Sequence, residues 1–266
     1  MKIQVATIVD IGTTLLHNDD RALVGTELYN ESRSICEITF PFVAAVCDGV
    51  GGYSGGGYAA ELALKELRNH DSHHLHDPNY LAEVLQNANT TILNAKDNTP
   101  EFSKMCTTIA GVVFTDSSIT LFHAGDSRIY RFDGEYLARM TTDHSLVQEL
   151  ISTGVITEDR ARVSNERSII RRCLGITNCL PPEIREIRSS IEPGDMYLIC
   201  SDGLWDVLTD AQIKSILSQN IPIGDKVNLL VLTAKQHGSE DNITACLCVA
   251  ESKEPVLERQ QHFALD

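Results

Sequence analysis

The sequence contains no apolar run long enough to cross a bilayer, no internal repeat and no low-complexity linker. It is also poor in basic residues, with 22 Lys and Arg against 37 Asp and Glu and a formal net charge of −15. The first absence excludes a membrane-spanning helix. The second points to one domain, residues 1–250, followed by a polar tail, 251–266. The basic deficit excludes nucleic acid and anionic membrane as partners. It also means that an anionic substrate is repelled at long range unless bound cations reverse the local field. Eight cysteines are present but none forms a CxxC pair. Cys47, Cys200, Cys246 and Cys248 lie in apolar runs, which reads as buried free thiols in a reducing cytosol and a cytoplasmic protein. A zinc site built on Cys246 and Cys248 lacks a second ligand pair at metal spacing. The N-terminal segment 1–9 is apolar for too short a stretch and has no small-residue cleavage pattern, so it reads as a strand and not a signal peptide.

What is present is strand-rich. Residues 3–9, Phe40 to Cys47, Met196 to Cys200 and Asn242 to Ala250 have strand length and apolar character. Residues 108–115, 119–124, 127–132 and 135–140 read as four short strands, with Asp133-Gly134 as a hairpin turn. Helices are expected over 58–69, after the Asp77-Pro78 start, after the Thr209-Asp210-Ala211-Gln212 capping box, and over 225–237. Residues 143–175 begin as helix and turn irregular and charged, as a small surface subdomain would. Short connections make the strands mostly antiparallel. The expectation is an α+β fold with two sheets face to face and helices outside.

Five acidic sites share one local context. Asp48, Asp126 and Asp202 each follow an apolar run, Asp241 stands just before the last strand, and Asn18-Asp19-Asp20 follows the first strand region. A rigid strand that meets a turn can bring carboxylates from distant segments to one cleft. Asp-Gly and Asn-Asp pairs are also ordinary turns. Clustered carboxylates repel and need cations, and an all-oxygen donor set suits Mg²⁺ or Mn²⁺.

The motifs carrying these residues are Asp10-Ile11-Gly12 with Asn18-Asp19-Asp20; Cys47-Asp48-Gly49-Val50-Gly51-Gly52; Thr107-Thr108; Gly125-Asp126-Ser127-Arg128; Asp143-His144-Ser145; Ser201-Asp202-Gly203-Leu204-Trp205-Asp206; and Asp241-Asn242-Ile243-Thr244. Seven short motifs in this order resemble the type 2C metal-dependent protein phosphatase family, its bacterial branch in particular, with 143–175 similar to that branch's flap. The resemblance implies a four-layer α-β-β-α sandwich with two or three Mn²⁺ or Mg²⁺ ions at one end. It also implies hydrolysis of phosphoserine and phosphothreonine in protein substrates by a metal-activated bridging water, opposing a serine/threonine kinase. By the same resemblance Asp48 bridges two ions and the Gly49 carbonyl binds one, while Asp202 and Asp241 complete the pair. Asp20 reaches an ion through water with Asp19 in support, and Asp126 holds a third. Asp48, Asp202 and Asp241 are the catalytic candidates.

The chain departs from the family pattern at several places. Leu15 stands where most relatives carry a phosphate-gripping arginine, and His17 and Arg21 are the substitute candidates for substrate binding. Val50 replaces a histidine found in many eukaryotic relatives; Gly57 and Cys106 replace a usual glutamate and glycine. Leu15 is the feature that favours the alternative reading, a catalytically weak phosphoprotein-binding scaffold on the same fold. Trp205 is expected as a core residue, Arg128 as a brace for the Asp126 loop, and Arg171 and Arg172 as surface charges. The tract His70-Asp71-Ser72-His73-His74-Leu75-His76-Asp77 is a compositional cue for a transition metal and no more.

Overall fold

The computed structural model describes residues 2–50, 55–157, 160–161, 164, 166–167, 169–177, 180–187 and 191–251. Fourteen strands are described: β1 (Lys2–Asp10), β2 (Arg21–Val24), β3 (Glu27–Tyr29), β4 (Arg33–Thr39), β5 (Phe42–Cys47), β6 (Gly49–Val50), β7 (Cys106–Thr107), β8 (Ile109–Phe114), β9 (Ile119–Ala124), β10 (Arg128–Phe132), β11 (Leu137–Arg139), β12 (Glu183–Ile187), β13 (Met196–Cys200) and β14 (Ile243–Ala250). There are two six-stranded sheets, ordered β11-β10-β13-β14-β1-β4 and β12-β9-β8-β5-β2-β3, and a two-stranded β6-β7 ladder that continues from β5 and leads into β8 of the second. The strand pairs are antiparallel.

The central strands are buried on both faces, which is why they read as continuous apolar runs and not as alternating ones. Along β5, Phe42, Ala44 and Val46 point between the sheets, while Val43, Ala45 and Cys47 point to the outer helices. Phe42 lies opposite Phe114 of β8 and stacks on it with ring centroids 4.9 Å apart, and Phe114 meets Tyr197 of the other sheet edge-on at 5.4 Å. Each such ring, fully buried, contributes about 1.5–3 kcal/mol. Cys246 and Cys248 also face this inter-sheet core. They are two of the buried free thiols, with Cys47 and Cys200.

On one outer face, α1 (Gly56–Arg68) and α3 (Pro78–Asn98) cover the second sheet, with the short α2 (Ser72–Leu75) between them. Asp77 caps α3 by accepting the Asn79 N–H at 2.9 Å, with Pro78 in the first turn. On the other face, α5 (Asp202–Trp205), α6 (Asp210–Leu217) and α7 (Ile223–Gln236) cover the first sheet. The capping box at Thr209 and Gln212 opens α6 as expected. This is the expected four-layer α+β sandwich. Within the 143–175 segment, Ser145, the cap of α4 (Leu146–Ser152), bridges to Ile170 of the same segment, and the bridge Thr107↔Leu174 pins the end of the segment to the body. The expected polar tail lies outside the described residues beyond Glu251, as do Gly51 and Gly52 of the second motif and Cys179.

Strand register decides where the aspartates go. In the first sheet Asp10 lies opposite Ile243, and Cys200 lies opposite both Ala245 and Arg128. In the second, Arg21 lies opposite Cys47, Val46 opposite Ala110, and Ile109 opposite Ala124. The ends of β1, β5, β9 and β13 and the starts of β2, β10 and β14 therefore share one edge of the sandwich.

Candidate metal centre

At that edge, small polar side chains set the backbone that carries each aspartate. The Asp48 N–H donates to the Thr108 hydroxyl at 3.0 Å, and the Asp48 carbonyl accepts from the Thr108 N–H at 2.9 Å and the Thr107 hydroxyl at 3.0 Å. The Thr108 and Ser127 hydroxyls are 2.7 Å apart, which ties the Asp48 turn to the Asp126 turn. Ser201 donates to Asp20 at 2.6 Å and accepts the Thr244 N–H at 3.0 Å, linking the two sheets. Asn242 donates to the Ile11 and His17 carbonyls and accepts the Asp19 N–H at 2.8 Å. Asp19 accepts the Gly57 N–H at 2.9 Å. Two glycines are required by close approach: a Cβ on Gly49 would lie 2.2 Å from the Gly56 carbonyl, and one on Gly203 would lie 2.1 Å from the Asn242 carbonyl oxygen.

Thr108 is fully buried. Thr108→Val keeps its shape but leaves the Asp48 N–H without an acceptor, so the protein should lose about 1–3 kcal/mol in urea denaturation. A loss within about 0.5 kcal/mol, the range of an ordinary surface change, would mean that this network does not hold Asp48.

Burial and mutual repulsion raise the carboxyls at this edge. Asp48 is held well above the usual carboxylate range, first by burial and then by Asp202, Asp20, Asp126 and Asp241. Asp20 is pushed up to about 7 by burial, against the Ser201 hydrogen bond. Asp202 is pushed up to about 7 by burial and by Asp241, and shares a hydrogen bond with Asp48. Asp126 is also held well above the usual range, by burial and then Asp202. Asp241 stands at the rim, open to solvent, yet packed atoms raise its carboxyl too. The sequence candidates Asp20, Asp48, Asp126, Asp202 and Asp241 are thus brought together, with Asp19 and Gly49 alongside. One oxygen each of Asp126 and Asp202 is buried without a hydrogen-bond partner. Unpaired buried carboxylate oxygens in an all-oxygen cluster fit hard divalent cations such as Mn²⁺ or Mg²⁺.

Arg128 braces the Asp126 turn as expected. It makes a bidentate pair with buried Asp143 at 2.9 and 2.6 Å and lies 3.4 Å over the centroid of the Trp205 ring. Trp205 packs against the core as expected but is only half-buried, and with Asp126, Arg128, Arg139, Arg167 and Asp202 it lines a cavity of about 270 Å³ beside the aspartates. The arginine pair also differs from expectation in one member. Arg171 is a surface charge paired with Glu149, but the Arg172 side chain is only 16% exposed and bonds Glu183 at 3.2 Å.

The two substrate-binding candidates differ in placement. His17 is exposed, next to Leu15 (43% exposed). Arg21 bends onto its own loop, one guanidinium nitrogen donating to the Asn18 and Asp20 carbonyls at 2.7 Å each. It supports the Asp19-Asp20 turn, and that nitrogen is taken before any phosphate arrives. The histidine tract is occupied locally: Asp71 caps α2, and His70 bonds Tyr80 at 2.7 Å. Ser201, Thr108, Ser127 and Asn242 were not singled out by sequence as supports. Their signal was membership of the quoted motifs, Thr108 in Thr107-Thr108 and the other three beside a motif aspartate.

A sandwich closed at one end by carboxylates that require cations is the architecture of metal-dependent phosphatases of the type 2C class. Comparison with known proteins agrees. The family model described as Protein phosphatase 2C matches residues 37–248, and the chain belongs to this family. It is 32% identical over 261 residues to a putative protein phosphatase 2C-type of Streptococcus pyogenes, covering 96% of this chain and 99% of the relative. A solved serine/threonine phosphatase of S. agalactiae superposes with a TM-score of 0.81 at 28% identity, covering 94% of this chain and 100% of the other. The catalytic domain of the phosphatase PstP, solved with two manganese ions, gives a TM-score of 0.76 at 26% identity, covering 95% and 100%. The chain is a metal-dependent protein phosphatase, and no helix among the described residues is long and apolar enough to cross a membrane.

Proposed function

We propose that the protein removes phosphate from phosphoserine and phosphothreonine in cytoplasmic protein substrates, reversing the action of a serine/threonine kinase. The observation that carries this reading is the convergence of Asp48, Asp20, Asp126, Asp202 and Asp241 at one end of the sandwich, where one oxygen each of Asp126 and Asp202 is buried without a hydrogen-bond partner. Residues 1–250 act as one phosphatase domain, with 143–175 as its flap. Asp48, Asp202 and Asp241, with the Gly49 carbonyl, would hold a pair of cations. Asp20, backed by Asp19, would support one of them, and Asp126 would hold a third. When bound, such cations activate water as a nucleophile and neutralise phosphoryl oxygens. The protein's own part is to fix the carboxylates before substrate arrives. Thr108 does this for Asp48, Ser201 for Asp20, and Arg128 with Asp143 for the Asp126 turn. The cavity beside Trp205 offers room for residues flanking the phosphate, so a protein substrate can offset weak phosphate binding with remote contacts. A scaffold reading rests on Leu15 alone, whereas every acidic member of the cluster is retained.

Purified protein with Mn²⁺ should release phosphate from a phosphothreonine peptide, and EDTA should stop it. Turnover no greater than that of an Asp202→Asn control, with any metal tried, would leave only the scaffold. Leu15→Arg restores a charged donor worth about 1.5–3 kcal/mol. It should lower KM for a small aryl phosphate by roughly ten- to a hundredfold. An unchanged KM would mean that another group already grips the phosphate.

A further inference from the structure

Behind the Asp126 turn lies a second cluster that the cation site does not use. Among the described residues, His123, His144 and Glu183 bring their ligand atoms within 4.8 Å of one another. The hydrogen bonds argue against a metal there. The Gly125 N–H donates to Nδ1 of His144 at 3.1 Å, so that nitrogen carries a lone pair and the ring proton sits on Nε2. Nε2 in turn donates to Glu183 Oε1 at 3.1 Å. A metal on Nε2 would force a proton onto Nδ1, facing the Gly125 N–H donor to donor. The His123 and His144 rings are stacked at 4.4 Å and 9°, and parallel rings cannot both aim in-plane lone pairs at one ion. Arg172 already neutralises Glu183 at 3.2 Å.

The same bonds serve the aspartate turn. His144 holds Gly125 at two points: its ring accepts the Gly125 N–H, and its backbone N–H donates to the Gly125 carbonyl at 2.9 Å. Gly125 is at φ +119°, and a Cβ there would meet Thr108 at 2.6 Å, so this turn has one conformation to keep. The ring is itself fixed. It is nearly buried, stacked on His123, which bonds the Thr142 carbonyl at 3.0 Å, and oriented by Glu183, whose backbone pairs with His123 across β12 and β9. Burial, then His123, pushes the His144 ring down to about 4, which keeps it neutral and able to accept.

We propose that His144 is a positioning residue for Asp126: clamped onto Gly125, it fixes the turn that presents Asp126 to the cations, and Glu183 selects the tautomer that allows it. This rests on Asp126 being the ligand of the third cation. The test uses the full chain, titrated with Mn²⁺ alone by calorimetry, together with ring-¹⁵N NMR of His144. The wild-type ring should show a protonated Nε2 and a bare Nδ1. His144→Ala should weaken the weakest Mn²⁺ step about 10–100-fold, as loss of an outer-shell partner does, and leave the tighter steps unchanged. His144→Asn, whose side-chain oxygen can accept the Gly125 N–H, should recover most of that loss. Glu183→Gln should shift the ring proton toward Nδ1 and weaken the same step.

The proposal is overturned by a wild-type ring protonated on Nδ1, or by His144→Ala with unchanged Mn²⁺ binding. It is equally overturned by Zn²⁺ binding that removes the Nε2–H signal, which would make the cluster a metal site. If His144→Ala does not fold, the Asn and Gln variants carry the comparison. Wild-type protein that binds no Mn²⁺ and shows no metal-dependent turnover would instead defeat the phosphatase reading, and the ring spectrum would still decide the tautomer.

Discussion

Asp48→Asn is expected to lower metal-dependent turnover by at least about 10³-fold while raising the melting temperature of the metal-free protein. Both effects come from one arrangement. Asp48 is the carboxylate most enclosed by others, raised by burial and by four acidic neighbours. Several kcal/mol of charge stabilisation would depend on the cations it would help to hold, and about 4 kcal/mol corresponds to roughly three decades in rate. Without cations the same charge opposes folding, because it is repelled and poorly solvated. An amide removes the charge and can still donate a hydrogen bond to Asp202. Function held at a cost in stability is the usual pattern for a site built of like charges. Activity measured in Mn²⁺ beside melting curves in EDTA separates the outcomes. A variant that loses activity and also melts lower in EDTA would mean that Asp48 is a structural residue and not a cation ligand.

The metal-free protein should become less stable as pH rises from about 4 to about 8. Asp20 and Asp202 are each raised from 3.8 to about 7, so the native state binds these protons more tightly than the unfolded chain does. The stability they contribute is complete below the unfolded value and is lost as pH rises through the folded one. In EDTA, melting temperature should therefore fall across this window. Saturating Mn²⁺ should flatten or reverse the trend, because cations bind the deprotonated carboxylates and stabilise the state that holds them. The measurement is a set of melting curves over that pH range with and without metal. Metal-free protein whose stability rises through neutral pH would contradict this account of the cluster.

The parts of the fold legible in the sequence were those set by local chemistry. β5 and β13 showed as apolar runs because both of their faces are covered. The α3 start at Asp77-Pro78, the capping box at Thr209 and the turn at Asp133, whose carboxylate accepts the Glu135 and Tyr136 N–H groups, are formed by neighbours in the chain. The strands β2, β3, β4, β6, β7 and β12 were not anticipated. β3, β4 and β12 expose one face or lie at a sheet edge, so their burial pattern is weak, and their pairing depends on strands already in place. Likewise the aspartates were legible and their supports were not. Ser201 acts on Asp20 from 181 positions away, and nothing local to either residue announces the pair.

What the chain determined by itself was the inventory: which segments bury two faces, where turns interrupt them, and that acidic residues stand at those interruptions. These follow from side-chain period and turn chemistry, which act over a few residues. What tertiary structure alone decided was convergence. Antiparallel register places seven strand ends at one edge, and only there do separate carboxylates become a shared electrostatic site. Repulsion, burial and outer hydrogen bonds are properties of distance in space, and the pairing of the sheets sets those distances.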